Sequence, residues 1–291
     1  MQATAICSTK GGTGKTTTGA NLGALAADAG LRTLLVDLDT GQPTLSSYFP
    51  LEYQAPGGIY ELLVHNMLDE DKIISRTTIP NLDLIISNDP HNQLETLLLH
   101  APDGRLRLRT LLKRLPKDYD LVVIDTKGAM AVTVEMALIA ADNVISPIYP
   151  EMLAAREFNR STLQVLNSVG QLRETLGLGS VPLGVVFNRQ DNSNDARDIA
   201  KAVREMFGKA TSANPNVTVL DTYVPANVTY RVAASNGVPA HRLEYRKPSN
   251  RPSPAALSII RDLAIEVFPQ WRDRFEALTE ETVAHIVKGS R

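Results

Sequence analysis

The side chains best suited to chemistry gather in one stretch, Ser8-Thr9-Lys10-Gly11-Gly12-Thr13-Gly14-Lys15-Thr16-Thr17. Glycines at 11, 12 and 14 permit backbone conformations that a Cβ obstructs, so successive N–H groups can converge on one anion. Lys15 offers a point charge to the outer phosphates of a nucleotide, and the Thr16 hydroxyl offers a ligand to Mg²⁺. An apolar run (Ala3, Ala5, Ile6, Cys7) precedes the glycines, and a helical pattern opens near Lys15, whose helix adds its positive end. Strand, glycine-rich loop and helix in that order read as a phosphate cradle rather than a plain tight turn. The strict P-loop pattern asks for glycine where Thr9 stands. This chain carries Lys-Gly-Gly-Thr-Gly-Lys-Thr-Thr instead, with an additional lysine at Lys10.

Carboxylates come next. Thr33-Leu34-Leu35-Val36-Asp37 reads as a buried parallel strand, so residues 2–37 form one βαβ unit with a right-handed crossover. It ends in Asp37-Leu38-Asp39, and carboxylates at the C-terminal edge of a parallel sheet project into the crevice where open α/β folds bind ligands. The plainer reading is an aspartate pair closing a strand in a turn. Asp120-Leu121-Val122-Val123-Ile124-Asp125-Thr126 repeats the pattern as a Walker B strand, with Asp125 beside Thr16 holding Mg²⁺. Gly128 follows as a turn able to sense the γ-phosphate.

The elements that must position these groups alternate. Helices are expected over Thr17 to Ala29, Leu94 to Leu115 with a break at Pro102-Asp103-Gly104, Val132 to Ala141, Ala154 to Thr175 and Pro254 to Phe268. Strands are expected over Leu82 to Ile86, Asn143 to Pro147, Val181 to Phe187 and Val217 to Thr222. Alternation of this kind gives an α/β fold, a mostly parallel sheet flanked by helices in a single domain, 1–268, followed by a polar and helical C-terminal tail, 269–291. The 44–118 stretch is the least legible.

Composition sets limits. At 291 residues and 43% apolar, the chain can bury a full core. Its one cysteine, Cys7, excludes an internal disulfide framework and fits a reducing compartment. The absence of a long apolar run or a basic leader predicts a soluble protein that is not exported. A net charge of −2 gives no global basic footprint, so any nucleic-acid contact must be local.

The lysine-bearing loop resembles that of the ParA/MinD ATPases, the family of P-loop ATPases with a deviant Walker A motif, and specifically the ParA/Soj-type partition ATPases. Three further stretches agree in order: Asp37-Leu38-Asp39, Asp125-Thr126, and Asn188-Arg189 with the later Val224-Pro225 turn and Ala233, Gly237 and Pro239. The resemblance implies ATP and Mg²⁺ as cofactors, with the phosphates on Lys10 to Thr17 and the metal near Thr16, Asp39 and Asp125. Lys10, Lys15, Asp39 and Asp125 then form the catalytic set, with Asp39 positioning the attacking water and Lys10 reaching a second protomer's nucleotide. Asn188, Arg189 and Pro225 surround the adenine, which favours ATP over GTP. Departures stand at Thr40-Gly41, Lys127 and Val232.

A partition ATPase of this kind forms a homodimer with ATP, binds double-stranded DNA without sequence preference, and is reset by a ParB-type centromere-binding protein. It is cytoplasmic, and nucleoid-associated when ATP-bound. Candidate DNA contacts are Arg242, Arg246, Lys247 and Arg251, and on the helix after Asn188, Arg197, Lys201, Arg204 and Lys209, although either set also reads as solvated charge. A MinD-like membrane-cycling ATPase is the alternative and needs a basic amphipathic C-terminus; Glu276, Glu280 and Glu281 argue against it, so no membrane partner is expected. A small-molecule ligase or kinase on the same fold, such as dethiobiotin synthetase, has no use for Lys10. Relatives of the nitrogenase iron protein need bridging cysteines that are absent here.

Overall fold

A computed structural model of the chain describes residues 1–191, 193–211, 216–249 and 253–289. Its strands are β1 Gln2–Ile6, β2 Thr33–Asp37, β3 Leu51–Tyr53, β4 Ser75–Thr77, β5 Leu82–Ile85, β6 Leu121–Asp125, β7 Asn143–Ile148, β8 Leu183–Gln190, β9 Val217–Val219 and β10 Val224–Pro225. They form one sheet in the order β10-β8-β7-β1-β6-β2-β5-β4-β3, with β9 also on β8. The pairings among β1, β2 and β5 to β10 are all parallel; β4 alone runs against the rest, pairing antiparallel with β5 on one side and with the edge strand β3 on the other. The first strand lies between β6 and β7, so the chain leaves it in one direction towards β2 and returns on its other side at β7. That reversal opens the crevice in which open α/β sheets bind ligands.

Alternation along the central strands splits the apolar residues between two cores. Ala3, Ala5, Leu34, Val36, Val122 and Ile124 face one layer of helices. Ile6, Leu35, Leu121 and Val123 face the other, which contains the helix Lys15–Asp28 and the helix Ala256–Val267. Strands covered on both faces have no polar side to show, which is why they read as continuous apolar runs. Small residues let the first helix approach the sheet closely: a Cβ on Gly23 would sit 2.6 Å from Leu35.

The 44–118 stretch supplies β3, β4 and β5 and the helices Ile59–His65, Leu94–His100 and Gly104–Leu112. The break anticipated at Pro102-Asp103-Gly104 is there, and Gly104 passes so near Leu98 that a Cβ would lie 1.9 Å from its carbonyl oxygen. The helix expected from Ala154 to Thr175 begins at Met152 and contains a π turn, Phe158–Thr162.

The C-terminal stretch needs correcting. Residues 269–289 are helical, but they are no polar appendage beyond a boundary at 268: Phe275, Leu278 and Val283 are buried in the second core, with Ile286 and Val287 against it. Their spacing looked weak because three short elements, Pro269–Trp271, Arg272–Glu276 and Glu280–Gly289, share the apolar set. The Ala233, Gly237 and Pro239 stretch is a structural joint. Gly237 takes φ 65°, where a Cβ would meet Pro50, and the following Ala240 N–H donates to Asn21 Oδ1 on the first helix at 2.8 Å.

Candidate nucleotide site

Strand register brings the carboxylates to the loop. Asp125 of β6 is level with Ile6 of β1 on one side and with Asp37 of β2 on the other, so the loop that leaves Ile6 starts beside both. Gly12 and Gly14 adopt φ 75° and 94°, and Gly14 serves as the N-terminal residue of the helix Lys15–Asp28. Both conformations lie where L side chains are strained. Lys15 is buried, 7% exposed, with Nζ donating to the Lys10 carbonyl at 3.2 Å, and burial holds its ammonium below the ordinary lysine value.

Thr16 Oγ1 donates to Asp125 Oδ2 at 2.6 Å. The other Asp125 oxygen is buried without a hydrogen-bond partner among the described residues, as is Thr13 Oγ1. Burial pushes the Asp125 carboxyl up to about 7, and that of Asp37 to about 6. An orphaned carboxylate oxygen beside a threonine hydroxyl is a donor set that fits Mg²⁺, an oxygen-seeking cation that takes one or two carboxylates and completes its shell with water and phosphate. Mg²⁺ would be held by Thr16 and Asp125, and the phosphates by the loop N–H groups and Lys15.

Asp39 and Asp37 have different duties. Asp37 Oδ1 accepts from the Asp39 N–H at 3.0 Å, and its Oδ2 accepts from the Ser46 N–H and hydroxyl, each at 2.8 Å. Ser46 Oγ in turn accepts from the Ser87 N–H at 2.7 Å. Asp37 therefore pins the segment after β2. Asp39 Oδ1 accepts from Gly41 and Gln42, a turn of its own, and its charge acts on both Lys15 and Asp125. The Thr40-Gly41-Gln42 departure thus supplies the turn that holds Asp39.

The turn after Asp125 packs directly on the loop: a Cβ on Gly128 would lie 2.9 Å from Gly11 Cα, so the two backbones touch. Lys127 pairs with Glu95 of the helix Leu94–His100, which ties the turn after β6 to a neighbouring element. Thr9, standing where glycine was expected, has a partner in the π turn: its hydroxyl is 3.0 Å from Thr162 Oγ1. π turns recur at functional sites, and nothing in the sequence pattern marked this one. Lys10 turns outward, 3.1 Å from Glu157 and 38% exposed.

Asn188 reaches the loop as well. Its Nδ2 donates to the Thr13 carbonyl at 2.6 Å and its Oδ1 accepts from the Arg189 N–H at 2.9 Å, so both ends of the amide are engaged on the protein's own backbone. One N–H and one oxygen lone pair of the amide remain for a purine edge. Pro225 of β10 is buried beside the same strand end, and Arg189 stands at φ 54° with its guanidinium 5.4 Å from the Tyr149 ring centre. Tyr149, which sequence reasoning missed, donates its hydroxyl to the Gly12 carbonyl.

The basic residues are not brought together as expected. Arg242 is 9% exposed and grips Asp28 through Nε at 2.8 Å and a terminal nitrogen at 2.5 Å, with His241 Nε2 on the same carboxylate at 2.8 Å. It is a buried structural ion pair and is not available to DNA; a partner more than two hundred residues away hid this from the sequence. Arg204 lies beside Asp221, at 3.5 Å, and over the Phe187 ring. Arg246 and Lys247 are exposed, as are Arg197 and Lys201 on the helix Asn194–Thr211, and Arg251 lies outside the described residues.

A parallel sheet whose central strand runs into such a loop, with a carboxylate on the adjacent strand, is the architecture of a P-loop NTPase. The family described as AAA domain matches residues 1–177, and the chain belongs to it. It is similar to the sporulation initiation inhibitor protein Soj of Bacillus subtilis, 29% identical over 261 residues that cover 89% of this chain and 97% of Soj. The apo structure of Cyanothece McdA shares the fold, at TM-score 0.70 and 21% identity over 98% of this chain and 99% of McdA. Cobyrinic acid a,c-diamide synthase from Mycobacterium smegmatis, solved with ADP and magnesium, superposes with TM-score 0.66 and is 27% identical, covering 81% of this chain and 93% of the synthase.

Proposed function

We propose that this protein is an ATP-driven partition switch: with ATP it forms a homodimer that binds double-stranded DNA without sequence preference, and hydrolysis stimulated by a ParB-type partner releases it. The observation that carries this reading is the division of labour between two lysines in one loop. Lys15 lies inside the cradle, while Lys10 stands on the surface beside Glu157, where its own nucleotide has no use for it. A second copy does. Mg²⁺, when bound, neutralises phosphate charge as hydrolysis proceeds. Asp39 orients the attacking water, and Arg246, Lys247, Arg197 and Lys201 are the side chains offered to the DNA backbone. The setting is the cytoplasm, with the nucleoid as the ATP-state location.

Two rivals remain in view. The membrane-cycling reading is weakened because the apolar residues of the last helix pack against the core, leaving that face no lipid surface to cover. The likeness to the diamide synthase keeps a small-molecule enzyme as the second reading. A DNA-binding titration with and without ATP across a salt series separates all three. Retention that needs ATP, ignores sequence and falls steeply with salt is expected, since each neutralised phosphate releases counterions. No DNA retention at low salt with ATP would overturn the partition reading.

A further inference from the structure

The inference rests on the nucleotide reading above and concerns how the cradle is held open. In a planar trans peptide the C=O of one residue and the N–H of the next point in opposite directions, so gripping a carbonyl from outside aims the following N–H away from the grip. Two consecutive loop carbonyls are gripped in this way. Tyr149 donates its hydroxyl to the Gly12 carbonyl, and Asn188 donates its amide to the Thr13 carbonyl. The pairing of β7 with β8 sets both at one level: Ile148 is opposite Phe187, so the next residues, Tyr149 just past the end of β7 and Asn188 within β8, come side by side.

Each gripping group is itself held. Asn188 is buried, and the bond from the Arg189 N–H to its Oδ1 fixes which end of the amide faces Thr13. Arg189 takes a left-handed backbone, φ 54°, which is uncommon for a long side chain and clusters at functional sites. That conformation lays its guanidinium over the half-buried Tyr149 ring. A Cβ at Gly14 would sit 2.0 Å from Asn188 Nδ2, so the loop and the brace admit no side chain between them.

We propose that Tyr149, oriented by Arg189, is a positioning residue of the phosphate loop: with Asn188 it holds the Gly12 and Thr13 carbonyls outward and so presents the Thr13 and Gly14 N–H groups to the nucleotide phosphates. Neither Tyr149 nor Arg189 in this role touches the reacting atoms. Their contribution is order in the loop before the nucleotide arrives, which strengthens binding of ground state and transition state alike and is therefore read in KM.

The test is Tyr149→Phe in the full chain, which removes one oxygen and keeps the ring under Arg189. Losing the hydrogen bond is expected to raise KM for MgATP and Kd for MgADP by about fivefold to tenfold, with the loss concentrated there rather than in kcat. Without nucleotide, amides of residues 11–15 should exchange faster in the variant, while the melting temperature stays within about a degree. Arg189→Ala keeps the hydroxyl but loses its orienting contact, and is expected to raise KM by about twofold. Unchanged exchange in the loop together with unchanged KM overturns the proposal, as does a loss confined to kcat. A wild-type chain that binds no nucleotide overturns the functional reading first. Faster loop exchange in Tyr149→Phe then still reports whether the brace exists.

Discussion

The edge of the central strands and the basic stretch from 240 to 247 contain charged residues of similar prominence in the sequence, yet the fold treats them in opposite ways. At the strand edge, Lys15, Thr16 and Asp125 meet because β1 and β6 are neighbours in register and the loop between strand and helix leaves them nowhere else to go. In the basic stretch, Arg242 is drawn inward by Asp28, while Arg246 and Lys247, a few positions on, face solvent. Where local chain geometry dictates placement, residue type and spacing suffice. Where a distant partner decides, they do not.

The largest effect expected on the strand-edge side is that of Lys15→Ala. The cradle loses its only buried lysine among the described residues, and a nucleotide's outer phosphates lose a charge-assisted contact. Calorimetry with MgATP should show binding reduced beyond detection, and an undiminished affinity would sink the assignment of the loop. Asp39→Ala is expected to come next. ATP should still bind, because the residue lies outside the loop, but turnover should fall by ~10²–10⁴-fold, the usual worth of a positioned base or water-orienting group. Hydrolysis at a comparable rate would reduce Asp39 to the turn former that its bonds to Gly41 and Gln42 already make it.

The same contrast explains how much could be read in advance. The sheet's parallel strands announced themselves because burial on both faces forces continuous apolar runs, and the loop because glycine takes without strain the positive φ angles found at positions 12 and 14. β3 and β4 escaped notice: they are three residues each, β3 at the sheet's edge and β4 next to it, and they carry no apolar run to recognise. Asp37 looked like the lesser member of its pair until its bonds to Ser46 tied the next segment to it. Tyr149 and Thr162 act on the loop from other elements, across the sheet and through a π turn, and no short-range pattern encodes either.

Arg242→Ala against Arg246→Ala turns the contrast within the basic stretch into numbers. Removing Arg242 leaves Asp28, 3% exposed, with His241 as its remaining partner, and breaking a buried ion pair from one side costs ~3–5 kcal/mol. Denaturant unfolding should register that loss. Arg246 is exposed, so its substitution should leave stability within about 0.5 kcal/mol and act only on DNA retention. Equal stabilities for the two variants would show that the Asp28 cluster does not hold the helix Ala240–Leu243 to the first helix.

The smallest effect is the acid limb that the same cluster adds to the stability curve. Burial pushes the Asp28 carboxyl up, but the hydrogen bonds and charges of Arg242 and His241 outweigh it, leaving the group below its ordinary value of 3.8. A carboxyl depressed on folding contributes stability that is fully present above the unfolded value and is lost as pH falls through the folded one. The loss attributable to Asp28 therefore belongs below pH 3.8. Asp37 and Asp125 are raised instead, to about 6 and about 7, so the folded chain takes up their protons more readily than the unfolded one as pH falls through that range. They contribute no loss to the acid limb. Asp28→Asn should flatten the decline below about pH 4 in equilibrium unfolding, from a lower starting stability. An unchanged slope would assign the acid limb to other depressed carboxyls, such as Asp103 beside Arg107 or Glu61 beside Asn88, and would reduce the buried cluster to a packing contact.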